Sequence, residues 1–375
     1  MTEAVIVGYA RSPLHFAGKG ALSKTRPDDL MAAVIKGLIA KTGVKVEDIE
    51  DLLLGCAFPE GEQGLNVARL ISFIVGLPQS VGAATINRFC GSSMQAVHSA
   101  AGAIAMGAGE VFICAGVESM SRVPMMGYNP MPNPQLAEQM PNAYMSMGIT
   151  AENLAKKYAI PRAAQEEFAV ASHAKAAKAR EAGKFKDEII AVPAASEDGC
   201  IRPDTNAAAL ASLKPAFDQN GVVTAGTSSP LTDGAAACLV VSADYAKKHK
   251  LPVLAKIKSI AVAGCAPDIM GIGPVAATRK ALDRARLSIN DIDIIEMNEA
   301  FAVQAMACLR DLNIDMARVN IDGGALALGH PLGATGVRIT GKAASLLKRE
   351  KKKYALATQC IGGGQGIATI LEAVG

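Results

Sequence analysis

Val46-Glu-Asp-Ile-Glu-Asp-Leu-Leu-Leu-Gly-Cys-Ala-Phe58 and Ile289-Asn-Asp-Ile-Asp-Ile-Ile-Glu-Met-Asn-Glu-Ala-Phe301 read as two copies of one turn-and-strand unit, 289 − 46 = 243 residues apart. Each opens on a polar turn and closes on an apolar run that ends in Ala-Phe. Kept without a gap, the same spacing lays Asn87-Arg-Phe-Cys90 onto His330-Pro-Leu-Gly333, and the strand Val111–Val117 onto Tyr354–Cys360. Internal repetition of this kind defines an architecture before any single element does. Around these segments, short β-branched runs alternate with Ala-rich helical stretches, which predicts a layered α/β fold. Two copies packed about a pseudo-twofold would turn equivalent loops toward each other, so Asn87–Cys90 and His330–Gly333 are expected to face one cleft.

The chain of 375 residues is long enough for two or three domains. Its formal net charge of +3 argues against a nucleic-acid or membrane-surface footprint. With 4% aromatic residues and no Trp, it offers few stacking platforms for single-stranded nucleic acid. No apolar run reaches the ~18 residues that a membrane span needs. Thr2-Glu3 leads straight into Ala4-Val5-Ile6-Val7-Gly8 without a basic leader, and Leu371-Glu-Ala-Val-Gly375 carries no peroxisomal address. The eight cysteines contain no CxxC pair, so they predict neither a disulfide framework nor a zinc site. The expectation is a cytoplasmic protein of a reducing compartment, with most cysteines acting as small hydrophobes.

Residues 118–231 break the repeat. Pro124, Pro130, Pro132, Pro134 and Pro141 interrupt helices, and Met120, Met125, Met126, Met131, Met140, Met145 and Met147 cluster there. A helix is expected from about Ala163 to Ala182, followed by a loop around Arg202-Pro203-Asp204. This region reads as an insertion over the cleft. Its methionines fit either flexible core filling or an adaptable wall for an apolar chain.

Four segments could carry chemistry. Cys90, in Asn87-Arg-Phe-Cys90-Gly-Ser-Ser, precedes an Ala-rich helix whose N-terminal amides would favour a thiolate, and Gly91 would allow the turn that lifts it out. The competing reading is a buried structural cysteine. His330 lies in the Gly-framed loop Gly329-His330-Pro-Leu-Gly333, unlike His15, His98, His173 and His249, and the repeat sets it opposite Cys90 as a base for a thiol. Cys360 opens Cys360-Ile-Gly-Gly-Gly-Gln-Gly366, where only nine residues remain, too few for a dinucleotide-binding unit. Its glycines instead leave amides free for an oxyanion. Asn298, in Asn298-Glu-Ala-Phe301, ends a strand expected over Ile292–Met297, at the edge where α/β proteins place their sites. It reads as a donor to an enolate or carbonyl oxygen, or as a turn residue. No metal-ligand pattern or Walker loop is present.

Together these segments, with Gly116-Val-Glu-Ser-Met-Ser121, Thr224-Ala-Gly-Thr-Ser-Ser229 and Asp233-Gly-Ala-Ala-Ala, resemble the thiolase family over nearly the whole chain. The resemblance implies a duplicated five-layer αβαβα core with an inserted loop domain. One half would span 1–117 and 232–253, the coenzyme A-binding loop domain 118–231, and the other half 254–375. It implies ping-pong acyl transfer, with Cys90 as nucleophile, His330 as its base and Cys360 as the acid that protonates the departing enolate. His330 and an Asn298-bound water would hold the enolate oxygen, and the amides of Cys90 and Gly362 the tetrahedral oxyanion. Coenzyme A would be a substrate, with no cofactor, contacting Met147, Met270, Ala225, Ser229, Phe301 and Arg202.

Ser146 stands where the acetoacetyl-specific branch has His, and Ile190–Asp204 is shortened near the nucleotide end of coenzyme A. The branch implied is the degradative 3-ketoacyl-CoA one. Its rivals are a biosynthetic acetoacetyl-CoA thiolase and a non-catalytic lipid- or CoA-binding relative. A homodimer or homotetramer is expected, with a hydratase/dehydrogenase subunit as a further partner.

Overall fold

The computed structural model describes residues 2–374. In chain order the first half runs β1 (Ala4–Arg11), β2 (His15–Phe16), α1 (Pro27–Thr42), β3 (Asp51–Gly55), α2 (Val67–Val75), β4 (Gly82–Ile86), α3 (Ser92–Ala105) and β5 (Val111–Ser119). The chain then leaves the sheet through α4 (Pro134–Gln139), α5 (Met147–Lys157), α6 (Arg162–Glu181) and α7 (Ala207–Ala211), and returns as β6 (Thr232–Ser242) and α8 (Ala243–Lys248). The remainder comprises β7 (Ala255–Gly264), α9 (Gly273–Ala285), β8 (Ile294–Met297), α10 (Ala302–Leu312), α11 (Ala325–Leu328), α12 (Leu332–Glu350), β9 (Tyr354–Ile361) and β10 (Gln365–Glu372).

The repeat is present in space. β8 begins 243 residues after β3, and β9 begins 243 residues after β5. β3 runs parallel to β5, which pairs antiparallel with β6, and β6 with β1. In the second half β8 runs parallel to β9, which pairs antiparallel with β10, and β10 with β7. The strand order β4-β3-β5-β6-β1-β7-β10-β9-β8 therefore contains one pattern twice, mirrored about the β1–β7 seam. That seam holds only Val5 with Lys256 and Ile6 with Ala255, because β1 bulges between Ile6 and Gly8. The sheet can therefore fold back across the seam.

Burial makes the layers explicit. One core packs α1 and α2 onto the outer face of the first-half strands, through Val34, Ile35 and Ile71 against Leu52, Leu54 and Leu239. A second holds α3 and α12 between the two halves, with Met94, Val97, Val337 and Leu347 touching both Phe112 and Val240 on one side and Ala357 and Ile367 on the other. A third places α9 and α10 on the far face of the second-half strands. Helix, sheet, helix, sheet, helix gives five layers, and the buried run of α12 follows from its central place. Fifteen of its nineteen residues are buried, which requires small residues such as Gly336, against Met94 of α3, and Gly341, against Tyr9 of β1 and Cys238 of β6.

Candidate active site

Cys90 sits on the turn between β4 and α3. Phe89, just before it, has φ +43°, a left-handed conformation that costs energy for a non-glycine residue. Asn87 holds it there: its Oδ1 accepts from Phe89 N at 2.8 Å, and its Nδ2 donates to Ala57 O at 3.0 Å. The turn expected of Gly91 is therefore made by Phe89. Gly91 itself has an ordinary φ of −84°, and its lack of a side chain makes room for Ile361, whose Cδ1 lies 2.5 Å from where a Cβ would be.

His330 precedes α12, and its ring is fixed from both sides. Thr335 Oγ1 donates to Pro331 O at 3.0 Å, so its oxygen accepts from His330 Nδ1 at 2.6 Å. That leaves Nε2 without a proton, 3.3 Å from Asn298 Nδ2. Asn298 follows β8, where its amide bonds Thr358 O at 3.0 Å. Cys360 lies near the end of β9 and is fully buried.

Cys90, His330 and Cys360 all face one cavity of about 180 Å³. The segment between β5 and β6 roofs it: Met120, Met125, Ser146, Met147, Phe217 and Ser229 line it, joined by Met270, Phe301 and Leu332. Of the methionine cluster, Met120, Met125 and Met147 reach the cavity, whereas Met126, Met131 and Met140 are exposed. Gly362 adjoins it, its backbone N–H near enough to the Cys90 sulfur to favour a thiolate there. Arg202 and Ala225 stand apart, in a neighbouring groove that shares Ser228 and Pro230 with the cavity. There the Arg202 guanidinium lies over the Phe16 ring at 4.9 Å.

Electrostatics differ from the sequence expectation in one respect. Burial pushes the Cys90 thiol up to about 11, outweighing the Gly362 and Cys90 amides that favour the thiolate. The helix terminus therefore does not leave a resting thiolate. Burial, with the Arg338 charge adding to it, pulls His330 down to about 3. Cys360 is raised by burial and then by neighbouring Cys90. The resting site holds two neutral thiols and a neutral imidazole whose free nitrogen faces inward. Such a set can pass a proton from sulfur to nitrogen as a bond forms at sulfur, with Gly362 N–H ready for the oxygen that becomes charged.

Two residues of the site went without a role in the sequence. Thr335 fixes the His330 tautomer from five positions on, two residues past the Gly-framed loop Gly329–Gly333. Glu118, in Gly116–Ser121, accepts hydrogen bonds from both halves of the fold.

The duplicated core, with two cysteines and a histidine facing one cavity, defines the chain as an acyltransferase. The chain belongs to the thiolase family: residues 4–244 match the thiolase N-terminal domain and 251–373 the thiolase C-terminal domain. It is 47% identical to the 3-ketoacyl-CoA thiolase of Bacillus subtilis (strain 168) over 389 aligned positions, covering 99% of this chain and 100% of the relative. It is 48% identical over 386 positions to a 3-ketoacyl-CoA thiolase of Vibrio cholerae, covering 99% and 100%. Human mitochondrial 3-ketoacyl-CoA thiolase in complex with CoA superposes with a TM-score of 0.93 at 36% identity, over 100% of this chain and 98% of that one. The Bacillus anthracis acetyl-CoA acetyltransferase gives 0.92 at 39% identity, over 100% and 99%.

Proposed function

We propose that the chain is a degradative 3-ketoacyl-CoA thiolase, cleaving 3-ketoacyl-CoA with coenzyme A to acetyl-CoA and a shortened acyl-CoA in fatty-acid β-oxidation. The observation that carries this reading is the convergence of Cys90, His330 and Cys360 on one cavity with the Gly362 amide at the nucleophilic sulfur.

In the first half-reaction His330 Nε2 takes the Cys90 proton as the sulfur adds to the keto carbon. The amides of Cys90 and Gly362 hold the resulting oxyanion. Collapse breaks the carbon–carbon bond and releases the enolate of acetyl-CoA, whose oxygen is held by His330 and an Asn298-bound water. Cys360 gives that enolate its proton. Coenzyme A, giving its thiol proton to the Cys360 thiolate, then attacks the acyl-Cys90 thioester; the carbon–sulfur bond to Cys90 breaks and Cys90 takes back the proton held on His330. Preorganised donors of this kind each contribute about 3 kcal/mol.

Met147, Met270, Ala225 and Ser229 would flank the pantetheine, with Phe301 near the thioester and Arg202 near the adenine, across the shared groove. Residues 118–231 act as the loop domain, 1–117 with 232–253 and 254–375 as the two halves. Coenzyme A is a substrate, no cofactor takes part, and the protein works in the cytoplasm. Among the described residues no helix is long and apolar enough to cross a membrane.

The chain functions as a homodimer or homotetramer. Supporting this, β4 ends the strand order, and Leu70, Phe73 and Ile74 of the adjacent α2 are 40, 50 and 39% exposed. An elution mass near 38.7 kDa would contradict it. A hydratase/dehydrogenase subunit is a further partner.

A second reading, a biosynthetic acetoacetyl-CoA thiolase, is favoured by the likeness to the acetyl-CoA acetyltransferase of Bacillus anthracis. Thiolysis of acetoacetyl-CoA and of a long-chain 3-ketoacyl-CoA, measured side by side, separates them. Efficient cleavage of the long substrate is expected, and cleavage of the four-carbon substrate alone would favour the second reading.

A further inference from the structure

Glu118 is a buried carboxylate that the acyl-transfer steps above do not use. It lies near the end of β5 and is 1% exposed. Four donors converge on its two oxygens: Ala57 N at 2.8 Å, Phe58 N at 3.3 Å, Gln63 Nε2 at 2.8 Å and Gly333 N at 2.9 Å. The first three belong to the segment that follows β3. The fourth opens α12, three residues after His330. Gln63 is itself held, its Oε1 accepting from Ser119 N at 2.6 Å.

The Cys90 turn hangs from the same segment. Asn87, whose Oδ1 holds Phe89 N, donates to the carbonyl of Ala57, the residue whose amide Glu118 holds. One unbroken chain of bonds therefore runs from the start of α12 through Glu118 and Ala57 to the Phe89–Cys90 turn. Losing its centre would strand several buried amides and loosen both loops together.

We propose that Glu118 is a positioning residue for acyl transfer, setting the distance between the loops that carry His330 and Cys90. This rests on the reading of Cys90 as nucleophile. The titratable groups around Cys90 are Glu118 from β5, Cys360 from β9, His330 before α12 and Cys56 after β3, whose sulfur lies 3.7 Å from Glu118 Oε1. Burial raises the Glu118 carboxyl while its hydrogen bonds from Ala57, Gly333, Gln63 and Phe58 lower it, and its presence beside Cys90 disfavours a thiolate there.

The test uses full-length Glu118→Gln and Glu118→Asp proteins, with steady-state thiolysis and the pH profile of Cys90 alkylation by iodoacetamide, the adduct located by mass spectrometry. Glu118→Gln should lower kcat about tenfold or more with little change in the KM for CoA, because the reacting groups are misplaced rather than unbound. Its alkylation midpoint should fall, since a group that disfavours the thiolate is gone. Glu118→Asp keeps the carboxyl but shortens its reach, so it should lose kcat while holding the wild-type midpoint.

A Glu118→Gln enzyme with kcat within about twofold of wild type overturns the proposal. So does lost turnover with an unmoved midpoint, which a purely structural role would give. If Glu118→Gln does not fold, Glu118→Asp decides, and wild-type turnover in that protein overturns the proposal. Wild-type enzyme that stays active after complete alkylation of Cys90 would instead refute the nucleophile assignment beneath it.

Discussion

Gly333 stands at the position that the 243-residue repeat makes the counterpart of Cys90, and the two are braced crosswise. Glu118, from the half that carries Cys90, accepts from the Gly333 amide at 2.9 Å. Gln359, from the half that carries Gly333, donates its side-chain amide to the Cys90 carbonyl. Each half thus holds the other's loop. The duplication has become asymmetric where chemistry is done: one copy presents a thiol, the other a bare backbone amide.

That bare position is tightly enclosed. A Cβ at Gly333 would meet Cys56 Cα and Val117 O at 2.8 Å and Glu118 Oε2 at 2.9 Å. Gly333→Ala should therefore destabilise the protein by about 1–3 kcal/mol, as overpacking does, and lower kcat by displacing the start of α12. Thermal melting and steady-state kinetics check both, and an unchanged Tm would show that the enclosure relaxes freely.

The resting charge state makes a prediction about pH. With the Cys90 thiol pushed up to about 11, alkylation by a neutral reagent should be slow at pH 7 and still rising above pH 9, without the plateau of a free cysteine. A rate already level at pH 7 would mean a preformed thiolate.

Cys360 protonates carbon in the cleavage step but only exchanges a thiol proton with CoA. Cys360→Ala should slow carbon–carbon cleavage of 3-ketoacyl-CoA by roughly 10²–10⁴-fold, the usual contribution of a positioned general acid. Exchange of an acyl group between acyl-CoA and labelled CoA, which passes through acyl-Cys90 alone, should stay within about tenfold of wild type. Equal losses in both assays would remove the distinction between the two cysteines.

Acid should destabilise the fold through buried histidines. His98 bonds Thr369 Oγ1 at 2.8 Å inside the central layer, and burial lowers it to about 3, as it does His330. A folded-state pKa below the unfolded value of about 6.5 means that the unfolded chain binds the proton first. Stability is then full above pH 6.5 and declines as pH falls toward 3. At pH 5 each such residue should cost about 2 kcal/mol. Urea midpoints measured between pH 7 and 4 should fall, and less steeply in His98→Gln. A flat profile would contradict the sign.

Much of this was legible in the sequence because apolar patterning is local. The 243-residue spacing located β8 from β3 and β9 from β5, and it foretold that the loops of Cys90 and His330 would share a cleft. Bond partners distant in the chain were not legible. Glu118 could be quoted within a motif, but Gly333, 215 residues on, is the contact that makes it matter. Burial likewise decided what local reading could not: Cys90 lies at a helix start as expected, yet desolvation outweighs the amides that favour its thiolate. Arg202 falls in the adjoining groove rather than the cavity, an offset produced by how the β5–β6 segment folds over the core.

The central claim is that an acyl group is carried on Cys90. Its most direct test is to mix the enzyme with a 3-ketoacyl-CoA in the absence of free CoA, quench with acid, and map the adduct by peptide mass spectrometry. Acyl transfer through Cys90 predicts the shortened acyl mass on the peptide containing Cys90, removed on adding CoA and absent from Cys90→Ser. Turnover with no adduct on Cys90, or an adduct on another cysteine, would contradict it.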